Sequence, residues 1–323
     1  MRCIFLLGGD YPELAREEVL ALAKTEPAEL IGRVLICDAN FKWKRLGLTK
    51  KVYRFLFESK LDNIETAMED FEWNGVYEKS FSVRITNLTK KKVSFKEAEL
   101  AKYIWKKVDV PKVDLEFSQT PVELIVTPKK VLCGLLLHEV NGEFSKRRGH
   151  LRPASHPTTM NPKLARACVN LTGIQTGSVV IDPFCGTGGI LIEAGLMRFK
   201  AIGYDIDEVM LQKCQKNLEF FKVKRFSLQQ RDALKLDEDV PYVVTDLPYG
   251  RHSKTTNSVE AMYADFLRFL NLHLKFKAVV LFPHFVDRRS LIRASGILLE
   301  KEFEIPVHKG LTRYIVLLSR KHQ

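Results

Sequence analysis

The sequence predicts an α/β protein in which a mostly parallel sheet, covered by helices on both faces, follows a mixed α+β region. From Val179 onward, short β-branched runs alternate regularly with helical stretches, which is typical of strands buried on both faces. Before residue 141 the predicted elements are shorter and follow no regular order. A chain of 323 residues is also long enough for two or three domains.

Six short strands and two helices are predicted in the first 140 residues. The first helix begins at Pro12, a position where the missing amide costs nothing, and its apolar periodicity covers residues 14–23. The second helix covers residues 95–108, with Ser94 as N-cap and Glu97 completing a capping box. The strands cover residues 3–7, 34–37, 51–57, 81–86, 122–126 and 131–137.

Residues 141–157 predict a basic linker, because they contain two glycines, two prolines and the cluster Lys146-Arg147-Arg148. The regular alternation of strands and helices follows this linker. The predicted strands cover residues 179–181, 201–204, 226–230, 242–245, 278–282 and 314–318. The predicted helices cover residues 189–197, 208–221 and 259–274.

The net charge of +12 is concentrated after residue 78. Residues 1–78 carry 11 basic and 14 acidic side chains, residues 79–155 carry 16 and 8, and residues 156–323 carry 24 and 17. A polyanionic partner that touches the middle and C-terminal parts would fit this distribution. A protein with a merely cationic surface would fit it too, so charge alone does not decide for nucleic acid.

The six cysteines are scattered without paired spacing, which argues against a zinc site or a disulfide framework and predicts a reduced, cytoplasmic protein. We therefore expect no metal. No apolar stretch approaches the roughly 20 residues that span a bilayer, so no membrane is expected either. The apolar run 4–7 after Arg2 is too short for a signal peptide, and a buried first strand is the better interpretation.

A glycine-rich loop follows the predicted strand 179–181 and opens the next helix. Asp182 ends the strand, and the loop continues through Cys185 to Gly189. Such a unit lets a ligand approach the backbone closely, and the amides at the helix start favour negative charge. A tight strand–helix turn without any ligand is the alternative.

Acidic residues also end the next two strands. Asp205 follows Asp182 by 23 residues, where an acid can accept both hydroxyl groups of a ribose. Asp207 is better placed to cap the following helix. Asp232 ends the third strand, so three acids face one edge of the sheet, where ligands bind in open α/β sheets.

The segment after the fourth strand is the most informative. Asp246 and the carbonyl of Leu247 can each accept a hydrogen bond from an amino group. Pro248 fixes the loop, and Tyr249 offers a flat face for a base. The segment therefore predicts a site that holds an aromatic amine in plane, although a simple turn with a buried tyrosine is the alternative.

These segments together resemble the class I amino-methyltransferases, whose hallmark is a D/N-P-P-Y segment after the fourth strand. Here the segment is Asp246-Leu247-Pro248-Tyr249-Gly250, with leucine at a position where that family has proline. The whole chain is similar, more narrowly, to the archaeal tRNA guanine-10 N2-methyltransferases. The junction segments 148–153, 156–157 and 160–166 carry this closer resemblance.

The resemblance implies a Rossmann-like methyltransferase domain with a seven-stranded, mostly parallel sheet at residues 158–323. It implies a ferredoxin-like segment at 1–50, a THUMP RNA-binding domain at 51–140 and the linker at 141–157. It further implies that S-adenosyl-L-methionine is the cofactor, with Asp205 on its ribose and Asp232 on its adenine. The expected cofactor-binding residues are Asp182, Gly186, Gly188, Asp205, Ile206, Asp232 and Ala233.

The same resemblance implies the chemistry and the partners. Asp246 and the Leu247 carbonyl would orient the N2 amine of a guanosine in tRNA, Pro248 would fix the loop, and Tyr249 would stack on the base. The product would be N2-methylguanosine or N2,N2-dimethylguanosine. A small zinc-binding activator protein is an expected partner, whereas DNA is not. Phosphate contacts are expected from the basic clusters, which are Lys90, Lys91, Lys92, Lys129, Lys130, Lys146, Arg147 and Arg148.

Other functions fit parts of the sequence. The same amino-methylation could take place at another tRNA or rRNA position, on DNA, or on a protein glutamine. Glutamine enzymes usually carry asparagine at the position of Asp246, and an RNA-binding half would serve no purpose in them. A non-catalytic RNA-binding scaffold would be signalled by loss of Asp246 or of the glycine loop, and both are present.

Overall fold

The computed structural model describes residues 1–25, 29–140, 142–156, 159–249, 256–308 and 311–321. The chain forms two compact units, and no single cut in the sequence separates them. The first unit comprises Met1–Pro12, Ala23–Lys44 and Thr49–Val140. The second comprises Glu13–Leu22, Arg45–Leu48 and Asn141–Gln323. Most of helix α1 (Pro12–Ala23) therefore belongs to the same unit as the C-terminal sheet.

The first unit is built on a seven-stranded sheet with the order β2-β3-β1-β4-β7-β6-β5. Its strands are β1 (Arg2–Leu7), β2 (Glu29–Ile31), β3 (Val34–Asp38), β4 (Thr49–Ser59), β5 (Phe81–Asn87), β6 (Thr120–Val126) and β7 (Val131–Glu139). The two helices that follow β4 and β5 in the chain are α2 (Ile64–Asp70) and α3 (Glu97–Lys107). Strands β5 and β6 run parallel because α3 returns the chain to the same end of the sheet. The other paired strands are antiparallel.

Helix α3 begins two residues later than the sequence predicts. Lys96 is the N-cap, and the Glu99 carboxylate accepts its amide at 2.9 Å. Phe95, directly before the cap, is buried in the core of the first unit. The prediction of a capping box formed by Ser94 and Glu97 was wrong, because the burial of Phe95 fixes where the chain enters the helix.

The second unit contains a sheet with the order β10-β9-β8-β11-β12-β14-β13, which confirms the predicted seven-stranded, mostly parallel sheet. Its strands are β8 (Val179–Asp182), β9 (Lys200–Asp205), β10 (Phe226–Gln230), β11 (Val240–Asp246), β12 (Leu274–Pro283), β13 (Leu298–His308) and β14 (Leu311–Ser319). The strands from β10 to β12 are parallel, and β14 and β13 are added antiparallel. Its further helices are α4 (Pro162–Leu171), α5 (Gly189–Leu196), α6 (Glu208–Phe220), α7 (Thr256–His273) and α8 (Arg288–Ser295).

The strand order reverses next to β8. Strand β9 lies on one side of β8 and β11 on the other, where Val243 pairs with Ile181. The loops that leave the carboxyl ends of β8 and β11 therefore diverge around a crevice, and ligands of open α/β sheets bind at such a point. The glycine loop and the Asp246 segment are these two loops.

Several elements are present that the sequence analysis did not predict, namely β2, α2, α4, α8 and β13. Strand β13 was missed because charged and apolar residues alternate only from Glu302 to Ile305, and a register shift between Leu299 and Lys301 interrupts the strand. Helix α4 has an Asn161 cap and Pro162 as its first residue, which are ordinary signals for a helix start. Among the described residues, no helix combines the length and the apolar character needed to cross a bilayer.

The buried carboxylate of Glu18 holds α1 within the second unit. It accepts the backbone amides of Gly47 at 2.8 Å and Leu48 at 2.9 Å. The side-chain amide of Asn170, in α4, donates to it at 2.7 Å. Burial raises the pKa of Glu18, and these three hydrogen bonds counteract that rise because they favour the carboxylate.

A second buried carboxylate, Glu193 in α5, binds two guanidinium groups. Arg147 Nε lies 2.7 Å from one oxygen, and Arg166 Nη2 lies 2.8 Å from the other. Both guanidinium groups also lie over the ring of Phe144. The prediction that Arg147 contacts RNA phosphate is therefore corrected: its side chain is buried and bound to Glu193, and only its neighbours Lys146 and Arg148 are exposed.

Replacing Glu193 tests this buried network. Glu193→Ala leaves two buried guanidinium groups without their carboxylate, so we expect the free energy of unfolding to fall by about 3–5 kcal/mol. Urea denaturation followed by circular dichroism measures the change. Glu143→Ala removes only the exposed partner of Lys146 and should leave stability close to wild type. Equal stability of the two variants would show that the buried pair contributes nothing.

Candidate active site

The glycine loop leaves space beside its backbone at Gly186 but not at Gly188. Gly186 has a φ of 49° and Gly188 a φ of 81°, in the left-handed region that favours glycine. A Cβ at Gly188 would lie 2.6 Å from the Cys214 sulfur, so no side chain fits there. A Cβ at Gly186 would meet no atom within 4 Å. The loop therefore offers free space directly against the Gly186 backbone, as a ligand cradle requires.

Asp182 lies beneath this loop. It is 2% exposed, and it accepts hydrogen bonds from the Thr245 hydroxyl at 2.7 Å and from the Phe184 amide at 3.3 Å. Burial raises its pKa to about 7. Asp182 thus connects the end of β8 to the end of β11, and its carboxylate is enclosed by protein.

Asp205 fixes the position of the loop from the adjacent strand. One carboxylate oxygen accepts the Gly186 amide at 2.9 Å, and the other accepts the Asp207 amide at 3.0 Å. Burial raises the pKa of Asp205, and these amides oppose the rise. Asp207 caps α6 through the Val209 amide, so capping does not explain Asp205. The next residue, Ile206, is 70% exposed and available to line a binding site.

The end of β10 lies next to the end of β9. The Arg231 amide donates to the Asp205 carbonyl at 3.1 Å, which aligns the two strand ends. Asp232 follows and caps a short 3-10 helix by accepting the Leu234 amide at 3.0 Å. Ala233 is buried. Asp182, Asp205 and Asp232 therefore follow three adjacent strands at one edge of the sheet, as their spacing predicts.

The segment after β11 is anchored on both sides. Leu247 is 1% exposed in the core, and its amide donates to the Leu281 carbonyl of β12 at 3.3 Å. The Pro248 carbonyl accepts the Tyr263 hydroxyl of α7 at 2.7 Å. These contacts fix the backbone that follows Asp246. Gly250, the last residue of the predicted motif, lies outside the described residues.

Asp246 lies in a group with Tyr249 and Arg313. The Tyr249 hydroxyl donates to Asp246 Oδ1 at 3.0 Å, and Arg313 Nη2 lies 3.3 Å from Asp246 Oδ2. Arg313 Nε also donates to the Tyr249 hydroxyl. Burial raises the pKa of Asp246 to about 6, and Arg313 and Tyr249 counteract part of that rise.

Arg313 was missed by the sequence analysis. It lies on β14, 67 positions after Asp246, in a strand that is otherwise mostly apolar. Its side chain is 7% exposed. A single cation in such a strand is the signal that could have revealed it, because a buried charge needs a partner. The sequence alone does not identify that partner.

The basic residues predicted to contact RNA are not equally available. Lys90, Lys91, Lys92 and Lys129 are exposed in the first unit. Lys130 instead lies 2.8 Å from both Glu29 and Glu58. In the second unit, Lys146 and Arg148 are exposed. The exposed cations are therefore accessible to a phosphate, although Lys146 also pairs with the exposed Glu143.

Two family models match the chain. A model described as the RMKL-like methyltransferase domain matches residues 149–315, which include the glycine loop, the strand-end acids, Asp246 and Arg313. A second model, described as a DNA methylase, matches residues 6–216 and ends before Asp246. The second match therefore gives no information on the segment that would hold the methylated amine.

Curated relatives match over nearly the whole chain. A tRNA (guanine(10)-N2)-dimethyltransferase of Methanothermobacter thermautotrophicus is 32% identical over 99% of this chain and 100% of its own length. The enzyme of the same name from Pyrococcus abyssi is 30% identical over 97% of this chain and 98% of its own.

The chain belongs to the tRNA (guanine(10)-N2)-dimethyltransferase family.

A solved structure agrees with this membership at the level of the fold. TrmN from Thermus thermophilus covers 99% of this chain and 100% of its own, with a TM-score of 0.51 and 22% identity. Within the family assignment, Leu247 is the residue that departs from the D/N-P-P-Y pattern. A proline would restrict the backbone of this segment directly. Here the buried Leu247 side chain and the hydrogen bond from its amide to the Leu281 carbonyl hold the segment instead.

Restoring proline at position 247 should therefore harm this protein. Leu247→Pro removes the amide that binds the Leu281 carbonyl, so we expect a loss of about 1–3 kcal/mol in the free energy of unfolding. Chemical denaturation measures it. Leu247→Met keeps both the amide and the volume, and should cost less than about 1.5 kcal/mol. A proline variant as stable as wild type would mean that the hydrogen bond is dispensable.

Proposed function

We propose that this protein transfers methyl groups from S-adenosyl-L-methionine to the N2 amine of a guanosine in tRNA, most simply position 10. The observation that carries the proposal is the Asp246–Tyr249 segment beside the glycine loop, in a chain that matches enzymes named for this reaction over their full length. The relatives are named dimethyltransferases, so both N2-methyl- and N2,N2-dimethylguanosine are proposed products.

Asp246 and the Leu247 carbonyl would position the substrate. The guanine N2 lone pair is delocalised into the ring and is a poor nucleophile. Hydrogen bonds from the two N2 protons to Asp246 and to the Leu247 carbonyl would favour a pyramidal nitrogen with a directed lone pair. Since burial raises the pKa of Asp246 to about 6, this carboxylate is also a better proton acceptor than an ordinary aspartate.

The residues around the glycine loop fit the cofactor. The free space at Gly186 accommodates a ligand against the backbone, and Asp205 is held at the adjacent strand end to accept ribose hydroxyls. We assign Gly186, Gly188, Asp205, Ile206, Asp232 and Ala233 to binding. Asp182 was also predicted to bind the cofactor, but its carboxylate is buried and bound by Thr245 and Phe184, so we assign it to holding the loop. S-adenosyl-L-methionine, when bound, supplies an electrophilic methyl group.

Asp205 provides a direct test of the cofactor assignment. Asp205→Asn removes the charge that accepts ribose hydroxyls, and hydrogen bonds to a charged group contribute roughly 1.5–3 kcal/mol. We therefore expect S-adenosylhomocysteine to bind about 10- to 100-fold more weakly, measured by isothermal titration calorimetry. Asp207→Asn keeps an effective N-cap for α6 and is the matched control. Unchanged affinity in Asp205→Asn would place the ribose elsewhere.

The first unit would supply much of the RNA binding. We propose a ferredoxin-like segment at 1–50, of which Glu13–Leu22 and Arg45–Leu48 lie in the second unit, and a THUMP domain at 51–140. The linker 141–157 follows, and its ends at 141 and 157 lie outside the described residues. The proposed methyltransferase domain begins at 158. The exposed cations Lys90, Lys91, Lys92 and Lys129, with Lys146 and Arg148, are the proposed phosphate contacts. They would offset the few kcal/mol needed to extrude a base.

A small zinc-binding activator protein is a proposed partner. Strand β10 is the terminal strand of the second sheet, so its outer edge can accept an added strand from such a partner. A pull-down that recovers only the isolated chain would contradict this partnership.

The location of the protein is a separate proposal. The scattered cysteines, all buried and without a disulfide partner, support a cytoplasmic location.

The proposed activity is tested on unmodified tRNA. Wild-type protein should transfer labelled methyl groups to transcripts with guanosine at position 10 and not to transcripts with adenosine there, and mass mapping should locate the product. Asp246→Ala should lower the rate by at least about 100-fold, because it removes the group that orients the amine.

Several outcomes would contradict the proposal. Methylation mapped to another guanosine would support the proposed reaction but contradict its assignment to position 10. Transfer to protein or to DNA would reject the substrate class. Binding of S-adenosylhomocysteine without transfer to any RNA, even with the activator present, would favour a non-catalytic scaffold.

A further inference from the structure

Arg313 is held rigidly at the end of the sheet next to the proposed catalytic segment. Its backbone pairs with Pro283 of β12 on one side and with Ile305 of β13 on the other. The side chain is almost completely buried, and its guanidinium reaches both Asp246 and Tyr249. A buried cation with two partners inside one site is well fixed in position.

The other groups around Asp246 do not favour its charge to the same degree. Asp182, at the end of β8, is a second carboxyl that interacts unfavourably with it. Cys168 of α4 and Tyr263 of α7 also interact with it, and burial raises the pKa of both, so they remain neutral. Tyr249 donates one hydrogen bond. Among the described residues that act on Asp246, Arg313 is the group that brings positive charge.

The two oxygens of Asp246 have different partners. Oδ2 faces the fixed guanidinium of Arg313, whereas Oδ1 accepts a hydrogen bond from the Tyr249 hydroxyl. A neutral tyrosine hydroxyl leaves its acceptor more easily than a buried guanidinium leaves an ion pair, because charge-assisted interactions are the stronger ones. Oδ1 is therefore the oxygen that can be released for an incoming amine.

We propose that Arg313 is a positioning residue that keeps Asp246 ionised through Oδ2, while Tyr249 occupies Oδ1 until the substrate base replaces it. This inference rests on the proposed function, since it assigns the incoming hydrogen-bond donor to the N2 amine. A protonated Asp246 would present a donor of its own and could not accept the proton of the amine. Arg313 therefore sets the lowest pH at which the site works.

The dependence of the rate on pH separates this role from a merely structural one. Wild-type single-turnover rates should fall as pH drops below about 6, because Asp246 becomes protonated. Arg313→Met removes the positive charge that favours the ionised form of Asp246. The midpoint of this fall in rate should therefore move up by about 1–3 pH units. At pH 7 the variant should be about 2- to 100-fold slower, and its rate should rise again as the pH is raised toward and beyond 9.

Two further variants sharpen the test. Arg313→Lys keeps the positive charge but not the fork of donors, and should shift the midpoint by less than Arg313→Met does. If Arg313→Met fails to fold, the lysine variant carries the measurement. Arg288→Met is the matched control, because Arg288 is also largely buried but pairs with Glu302. Its midpoint should equal that of wild type.

The ionisation of Asp246 can be followed without any activity. Protein labelled with carboxyl-¹³C aspartate gives a titrating signal that Asp246→Asn assigns. Its midpoint should rise in Arg313→Met, while affinity for S-adenosylhomocysteine stays within about twofold of wild type. If the wild-type protein transfers no methyl group but the Asp246 midpoint still rises in Arg313→Met, the proposed function is contradicted. The electrostatic effect of Arg313 on Asp246 is then still supported.

Two results would overturn the proposal. One is an Arg313→Met enzyme that is slower by the same factor at every pH from 6 to 9. The other is a ¹³C midpoint for Asp246 that is the same in wild type, Arg313→Lys and Arg313→Met.

Discussion

The proposed site depends on one ion pair, in which Arg313 faces an Asp246 carboxylate that is only 21% exposed. Burial opposes the charge of Asp246, and the carboxyl of Asp182 adds to the opposition. Arg313 and the Tyr249 hydroxyl act in the other direction. The parallel strand β11 thus presents the carboxylate, and the antiparallel strand β14 supplies its counter-charge. Strand β14, which is added antiparallel to the sheet, therefore contributes a side chain to the site.

The remaining contacts of the site join one strand end to the next. Thr245 binds Asp182 between β11 and β8, and the Gly186 amide binds Asp205 between β8 and β9. Backbone hydrogen bonding at Arg231 continues the series to β10. Because each contact fixes two strand ends at once, the proposed cofactor and amine sites share one rigid frame, and displacement of one strand end would disturb both.

The sequence predicted much of this frame and missed the interactions that depend on distant residues. Glycine loops and strand-end acids are local patterns, so Gly186, Asp205 and Asp246 could be placed from their neighbours in the chain. The partnership of Arg313 with Asp246 spans 67 positions and depends on the order of the strands, which local patterns do not define. Arg147 was assigned to the surface because it lies between two basic neighbours, whereas Glu193, far along the chain, draws it inside. Ser94 was chosen as a cap by residue type, and the burial of Phe95 decided otherwise.

The interleaving of the two units has a consequence for how such genes can recombine. Helix α1 and residues 45–48 complete the unit that carries the site, and Glu18 is bound there through Gly47, Leu48 and Asn170. A crossover near residue 141 would join a C-terminal part to foreign versions of these N-terminal segments. Shuffling at that junction would keep the Gly47 and Leu48 amides with Glu18 but would separate this buried acid from Asn170, so exchange between relatives requires matching residues at positions 18 and 170.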